Sequence, residues 1–157
     1  MSDNTNNTSS NNGNISDDTI KLLRECDAGI KMGIEAINEV LNYVTEYKLK
    51  ETLRDSRDVH DTLQEDALKL LEEYHDEGKD PNPMAKGMSW MKTNMKLMIN
   101  ESDHTVADLI VDGCNMGVKS LYKYLNEYKT ANDKAKRLAK DIIKEEEKLA
   151  ESMREWL

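Results

Sequence analysis

The sequence predicts an all-α fold: a four-helix bundle built from two duplicated helical hairpins, with an extra methionine-rich helix connecting them. Three observations support this prediction. The motif Gly-x-x-Met-Gly occurs at residues 29–33 and again at residues 113–117, and apolar residues follow both copies at helical spacing. Apolar residues recur every three or four positions along most of the chain. Methionines repeat at the same spacing in a segment between the two copies.

Length, charge and cysteine content narrow the class of protein. The chain has 157 residues, which is the size of one domain. Its net charge of -9 repels phosphate backbones, so nucleic-acid binding is not expected. The two cysteines form no Cys-x-x-Cys pair, and no apolar stretch is long enough to cross a bilayer. We therefore expect a reduced, cytoplasmic protein without a transmembrane segment.

The first hairpin is predicted to span residues 17–78. Residues 1–16 are mostly Asn, Ser, Thr, Asp and Gly, a composition typical of a disordered tail. Ser16 is a suitable N-cap for a first helix that continues to about Tyr47. A second helix then continues to near Gly78 and Pro81. Its predicted buried stripe consists of Leu49, Leu53, Ser56, His60, Leu63, Ala67, Leu70 and Tyr74.

The connecting helix is predicted over residues 83–101. Its methionines, at a spacing of four and three, are Met84, Met88, Met91, Met95 and Met98. This stripe can pack against the bundle or a second subunit, or it can form an exposed surface for a protein partner or a membrane surface. Thioethers also bind soft ions, so Met88, Met91, Met95 and Met98 are an alternative Cu(I) site.

The second hairpin is predicted to span residues 103–157. Ser102 or Asp103 begins a helix that reaches about Tyr128, and Asn132 or Asp133 begins a last helix that ends near Trp156. A long connection between two hairpins is the arrangement that ferritin-like bundles have at their crossover.

The second hairpin also resembles bacterial ferritin-like families of unknown function. The residues that carry this resemblance are TVADLI at 105–110, the glycine motif at 113–117, YLNEY at 124–128 and EEEKL at 145–149, together with the methionine-rich stretch 84–100. The resemblance implies a ferritin-like fold and no established activity.

An intact di-iron site is not expected, because the required ligands are missing. Such a site takes a Glu from each of two helices and a Glu-x-x-His motif from each of the other two. Arg57 stands in the Glu position before His60, and Leu149 stands where a His should follow Glu146. Glu35 and Glu39 fall on the side of the first helix that is opposite its apolar stripe. We therefore predict no enzyme activity of this type.

His60 and Glu146 form the most informative polar pair in the sequence. Each interrupts an apolar stripe, and a buried carboxylate must be paired or neutralised. The pair is interpreted as a structural hydrogen bond between the hairpins. A metal site or an acid/base site at the same two residues is the alternative.

The glycines and cysteines are interpreted as packing residues. Gly29 with Gly33, and Gly113 with Gly117, are predicted to let helices approach closely. Cys26 and Cys114 are expected to be small buried side chains, with redox sensing as the minor option. His75 and His104 lie near helix ends and are expected to be solvated.

The function that best fits these features is a non-enzymatic binding or protein-interaction module. The methionine-rich helix is a possible contact for a protein partner, and a homodimer is expected from the self-complementary apolar surfaces. The alternative is a metal-binding protein, with either an iron-type relic site at His60 and Glu146 or a methionine-based Cu(I) site. No other cofactor is predicted.

Overall fold

A computed structural model of the chain describes residues 8–81 and 101–157, and these residues form helices and no strand. The α-helices are α1 (Thr8–Val40), α2 (Tyr47–Glu72), α3 (Asp103–Glu127) and α4 (Asp133–Ser152). Short 3-10 helices follow α1 and α4 at Leu41–Tyr43 and Met153–Trp156. The predicted all-α class is confirmed, whereas the connecting helix predicted over 83–101 lies almost wholly outside the described residues.

Hydrogen bonds at the two ends of the bundle define the direction of each helix. Thr130, just after α3, donates its backbone N–H to Asp18 near the start of α1 at 2.9 Å. At the opposite end, Thr45 after α1 donates its N–H to Asp103 at the start of α3 at 2.8 Å. The helices α1 to α4 therefore run up, down, down and up. The connection between α2 and α3 must travel the full length of the bundle.

The core consists of two apolar clusters with a polar layer between them. The lower cluster includes Leu22, Leu23, Ile30, Leu71 and Ile142, and the upper cluster includes Ile37, Val40, Leu49, Leu53 and Met153. His60 and Glu146 belong to neither cluster, and both are buried. The two hairpins are thus joined by apolar packing at both ends and by polar contacts in the middle.

Several predicted helix limits are wrong. The first helix begins at Thr8 instead of Ser16, so residues 8–16 are helical although their composition predicted a disordered tail. Adding a residue to an existing helix costs little once the helix is nucleated, so a polar sequence can extend its end. The first helix ends at Val40 instead of near Tyr47. In the turn after α1, the backbone N–H groups of Thr45 and Glu46 donate hydrogen bonds to the Asp103 carboxylate, which comes from a distant part of the chain.

The second hairpin follows its sequence signals closely. Ser102 accepts a hydrogen bond from the N–H of Thr105, and Asn132 accepts one from the N–H of Ala135. Both are N-cap contacts that satisfy a free N–H in the first helical turn. In the first hairpin, α2 ends at Glu72, and the buried residue near its end is Leu71 rather than the predicted Leu70. Leu70 and Tyr74 of the predicted stripe are partly buried and pack against the lower cluster.

Within the described residues, no helix carries an apolar stretch long enough to cross a bilayer.

Candidate functional site

A long groove runs between α1 and α3 on one side of the bundle. Its volume is about 1100 Å³, and it reaches from Cys26 near the middle of α1 to Val40 at the upper end. The apolar part of its lining comes from both helices and includes Met32, Ala36 and Ile37 of α1 and Leu109, Ile110 and Met116 of α3.

All four predicted packing glycines line this groove. Gly29 and Gly33 lie on the α1 wall, and Gly113 and Gly117 lie on the α3 wall. Gly33 approaches the core closely, because a Cβ atom there would be 2.9 Å from Cδ2 of His60. A Cβ atom at Gly29 would meet no atom of the described residues within 4 Å. Close approach is therefore found at Gly33 and is not seen at Gly29.

His60 and Glu146 lie at the floor of the groove, where the structure brings them together. Nε2 of His60 is 3.0 Å from Oε1 of Glu146. The residue His60 is 1% exposed and Glu146 is 9% exposed. The pair joins α2 to α4, and the missing side chains of Gly33 and Gly117 leave the space that it fills.

The partners of His60 show where its protons are. Nδ1 of His60 is 2.8 Å from the backbone carbonyl oxygen of Ser56. A carbonyl oxygen only accepts, so Nδ1 carries a hydrogen and donates it. Nε2 faces a carboxylate, which also accepts when ionised. The geometry is satisfied by an imidazolium paired with a carboxylate, or by a neutral imidazole paired with a protonated carboxyl group.

The electrostatic surroundings favour the charged imidazolium. Burial by itself lowers the pKa of His60, since desolvation penalises the charged form. The hydrogen bond to Glu146 and its negative charge act in the opposite direction, and the Ser56 carbonyl and Glu145 add to them. The net result is a pKa of His60 above its usual value.

The side chains of Ser56, Glu145 and Cys114 complete the polar layer. Ser56 donates its hydroxyl hydrogen to Oε1 of Glu145 at 2.8 Å, and this contact is buried. Cys114 lies next to Glu146, and burial together with that carboxylate raises the pKa of its thiol. The thiol of Cys26, deep in the lower cluster, has its pKa raised by burial to about 12. Both cysteines are buried thiols with little thiolate character, as expected for packing residues.

The described residues contain no group of three or more His, Cys, Asp or Glu side chains able to hold a metal ion. Arg57, in the position where an iron site needs a Glu, donates a hydrogen bond to Asn38 instead. Leu149 is buried in the upper cluster. Glu35 and Glu39 are exposed and lie at the rim of the groove, apart from the His60–Glu146 pair.

A second buried carboxylate, Asp27, lies near the lower end of the groove. Its Oδ2 atom accepts the backbone N–H of Lys79 at 2.9 Å and pairs with Nζ of Lys31 at 2.9 Å. Gly78 has a φ of +91°, and a side chain there would overlap the Asp27 carboxylate. These contacts fix the chain that leaves α2 against α1.

Sequence reasoning missed part of this site. Asp27 and Glu145 are buried but were not predicted, because charged side chains are rarely buried unless they are paired. A wide buried face on α1 and α4, rather than a narrow stripe, would have included both. His75 and His104 are exposed as expected. The candidate ligands Met88, Met91, Met95 and Met98 lie outside the described residues.

No protein-family model, curated protein or solved structure matches this chain.

Proposed function

We propose that this protein is a non-enzymatic binding module in which the groove between α1 and α3 receives an amphipathic helix. The observation that carries the proposal is the groove itself, with its volume of about 1100 Å³. From Cys26 to Val40 it follows about 21 Å of α1, which is roughly four helical turns. A cleft of this length fits an elongated partner better than a compact ligand.

The chemistry of the walls supports a helical partner. An amphipathic helix binds through apolar side chains three and four positions apart, which enter an apolar groove. Met32 and Met116 offer flexible, polarisable surface for such side chains. The glycines on both walls, such as Gly29 and Gly113, leave room for the backbone of a partner to come close.

The polar floor supports a binding role over an acid/base role. His60 uses both ring nitrogens inside the fold, one toward the Ser56 carbonyl and one toward Glu146. No ring nitrogen is left to exchange a proton with a substrate in the groove. We therefore assign the pair to holding the two hairpins in register.

The same proposal includes a ferritin-like origin by duplication of one hairpin. The up, down, down, up order of the helices with one long crossover is the order of ferritin-like bundles. Gly33 and Gly117, at equivalent positions in the two copies of the motif, both approach Glu146. A cytoplasmic location and a homodimer complete the proposal and rest on the sequence alone.

The test uses a fluorescently labelled peptide with the sequence of residues 82–101 as an amphipathic probe. The receptor is the full chain with its five methionines from Met84 to Met98 replaced by Gln, which removes the competing apolar segment. We expect the anisotropy of the probe to rise on binding. The same receptor with Gly29→Leu should not bind, because the new side chain would project into open groove space.

If the probe fails to bind the folded receptor, or binds equally well when Gly29→Leu fills the groove, the proposed function is wrong. Circular dichroism of both receptors checks that each is helical. A probe with Gln at its own five methionine positions is the matched control for the peptide, and it should not bind.

A further inference from the structure

We infer that in the resting protein the groove is occupied by the chain's own methionine-rich segment, residues 84–98. This inference rests on the proposed function, since it requires that the groove accept an apolar helix. It goes further by identifying the occupant as part of the same chain. Four observations support it: the two points where the chain leaves and re-enters the described fold, the length between them, and the chemistry of the groove.

The chain leaves the described fold at the lower end of the groove. Lys79 and Pro81 both line the groove. The backbone N–H of Lys79 is bound to Asp27, and Asp80 pairs with Lys31 at 2.9 Å. Residue 81 is therefore held on the α1 wall, and residue 82 starts at the mouth of the groove.

The chain re-enters the fold at the upper end of the same two helices. Asp103 begins α3 and accepts hydrogen bonds from the N–H groups of Thr45 and Glu46. Ser102 caps the first turn of α3. The two fixed ends of the segment therefore lie at opposite ends of the α1 wall.

The length of the segment matches this path when the segment is helical. From Lys31 to Val40 α1 rises by about 14 Å, at about 1.5 Å for each α-helical residue. The 3-10 helix Leu41–Tyr43 adds about 6 Å, at about 2.0 Å for each residue. Residues 82–100 would cover about 28 Å as a helix and roughly 60 Å as an extended chain. A helix lying along the groove joins the two ends with only a few residues to spare, whereas an extended chain would be much too long.

The side chains of the segment match those of the groove. On a helix the five methionines would share one face, and the walls of the groove offer apolar side chains over a similar length. Counted from the shared upper end, Met91 would fall within one turn of the level of Cys114 and of the glycines Gly33 and Gly117. Lys92 would flank the methionine face, and Glu35 and Glu39 line the α1 wall.

Methionine oxidation of the unmodified protein by dilute hydrogen peroxide tests this inference. An exposed thioether is oxidised to the sulfoxide readily, and a buried one is protected. The free peptide of residues 82–101, oxidised under the same conditions, serves as the reference, because Met116 itself lines the groove. We expect Met91 and Met95 of the protein to be oxidised about tenfold more slowly than in the free peptide, as measured by mass spectrometry of tryptic peptides.

Gly29→Leu is the variant that should remove this protection, because its side chain would fill the groove. Gly13→Leu is the matched control, since Gly13 lies in the same helix, is exposed, and does not line the groove. We expect Met91 and Met95 to react at the rate of the free peptide in Gly29→Leu and to stay protected in Gly13→Leu. Rates in the unmodified protein that equal those of the free peptide would overturn the inference.

Dilution separates the chain's own segment from that of a second copy. Protection within one chain does not depend on protein concentration, whereas protection by a second copy is lost when the protein dissociates. We expect the ratio of the Met91 rates in the protein and in the free peptide to stay constant down to concentrations at which sedimentation shows a monomer. Loss of protection on dilution would assign the groove to a second copy and overturn the inference.

Failure of this inference can be told apart from failure of the proposed function. If the labelled peptide binds the Gln-substituted receptor, but Met91 is unprotected in the unmodified chain, the groove binds a helix and the occupant is not the chain's own segment. If the peptide does not bind that receptor, the proposed function itself fails. The unmodified chain should bind the peptide more weakly than the Gln-substituted receptor, because its own segment competes.

Discussion

The two hairpins carry the same glycine motif, but they use it differently. A Cβ atom at Gly33 would be 2.9 Å from the ring of His60, closer than such atoms pack. A Cβ atom at Gly117 would be 3.6 Å from Cδ of Glu146, which is an ordinary contact. The difference arises because Gly33 faces a broad imidazole ring that is hydrogen-bonded at both nitrogens, whereas Gly117 faces a carboxylate. Each hairpin thus supplies one residue of the polar pair, His60 from the first and Glu146 from the second.

The largest expected effect comes from removing one member of that pair. Glu146→Leu leaves a buried His60 without its partner, and we expect a loss of about 3 kcal/mol in the free energy of unfolding. The double variant His60→Leu with Glu146→Leu should lie within about 1 kcal/mol of the unmodified protein, because neither charge remains. Urea denaturation measures the free energy of unfolding of the unmodified protein, the single variant and the double variant. A double variant less stable than the single one would show that the pair contributes more than its burial costs.

A smaller effect should separate the two glycines. Replacing Gly with Ala inside a helix gains about 1 kcal/mol when there is space for the methyl group. Gly117→Ala should therefore be slightly stabilising. Gly33→Ala should be destabilising by about 1 kcal/mol, because His60 is held at both ring nitrogens and cannot move away freely. Thermal melts of the two variants, compared side by side, provide the measurement.

Equal effects of the two alanine substitutions would remove the asymmetry described above. The Gly33→Ala variant in the background of the double Leu variant is the control. There the imidazole ring is absent, and the penalty at Gly33 should shrink.

The smallest expected effect is a dependence of stability on pH. The pKa of His60 is raised in the folded protein, so folding favours its protonated form. The stabilisation is complete below the unfolded pKa of about 6.5 and is lost as the pH rises through the folded pKa. Relative to the double Leu variant, the unmodified protein should therefore become less stable as the pH rises from about 6.5 through the folded pKa of His60.

Urea denaturation at several pH values in this window measures that trend, and NMR titration of the His60 ring gives the folded pKa directly. A stability difference between the two proteins that rises with pH would mean that His60 is neutral in the fold. The hydrogen between Nε2 of His60 and Oε1 of Glu146 would then belong to the carboxyl group of Glu146.

The sequence by itself determined that the fold is all-helical and that His60 and Glu146 form a polar pair. Helical spacing of apolar residues is a local property, so it identified the buried positions Leu49, Leu53 and Leu63 of α2 without knowledge of their neighbours. The same spacing singled out His60 and Glu146, because a polar residue in an apolar stripe needs a partner. The caps at Ser102 and Asn132 were also predictable, since their signals lie within one turn.

The tertiary structure decided the features that depend on distant residues. The end of α1 at Val40 depends on Asp103, and the burial of Asp27 depends on the chain after α2, which folds back onto it. The groove runs between α1 and α3, which belong to different hairpins, and no local pattern encodes how these two helices meet. The spacing of residues along a helix identifies its buried face, but only packing determines which neighbour covers it and which part stays open.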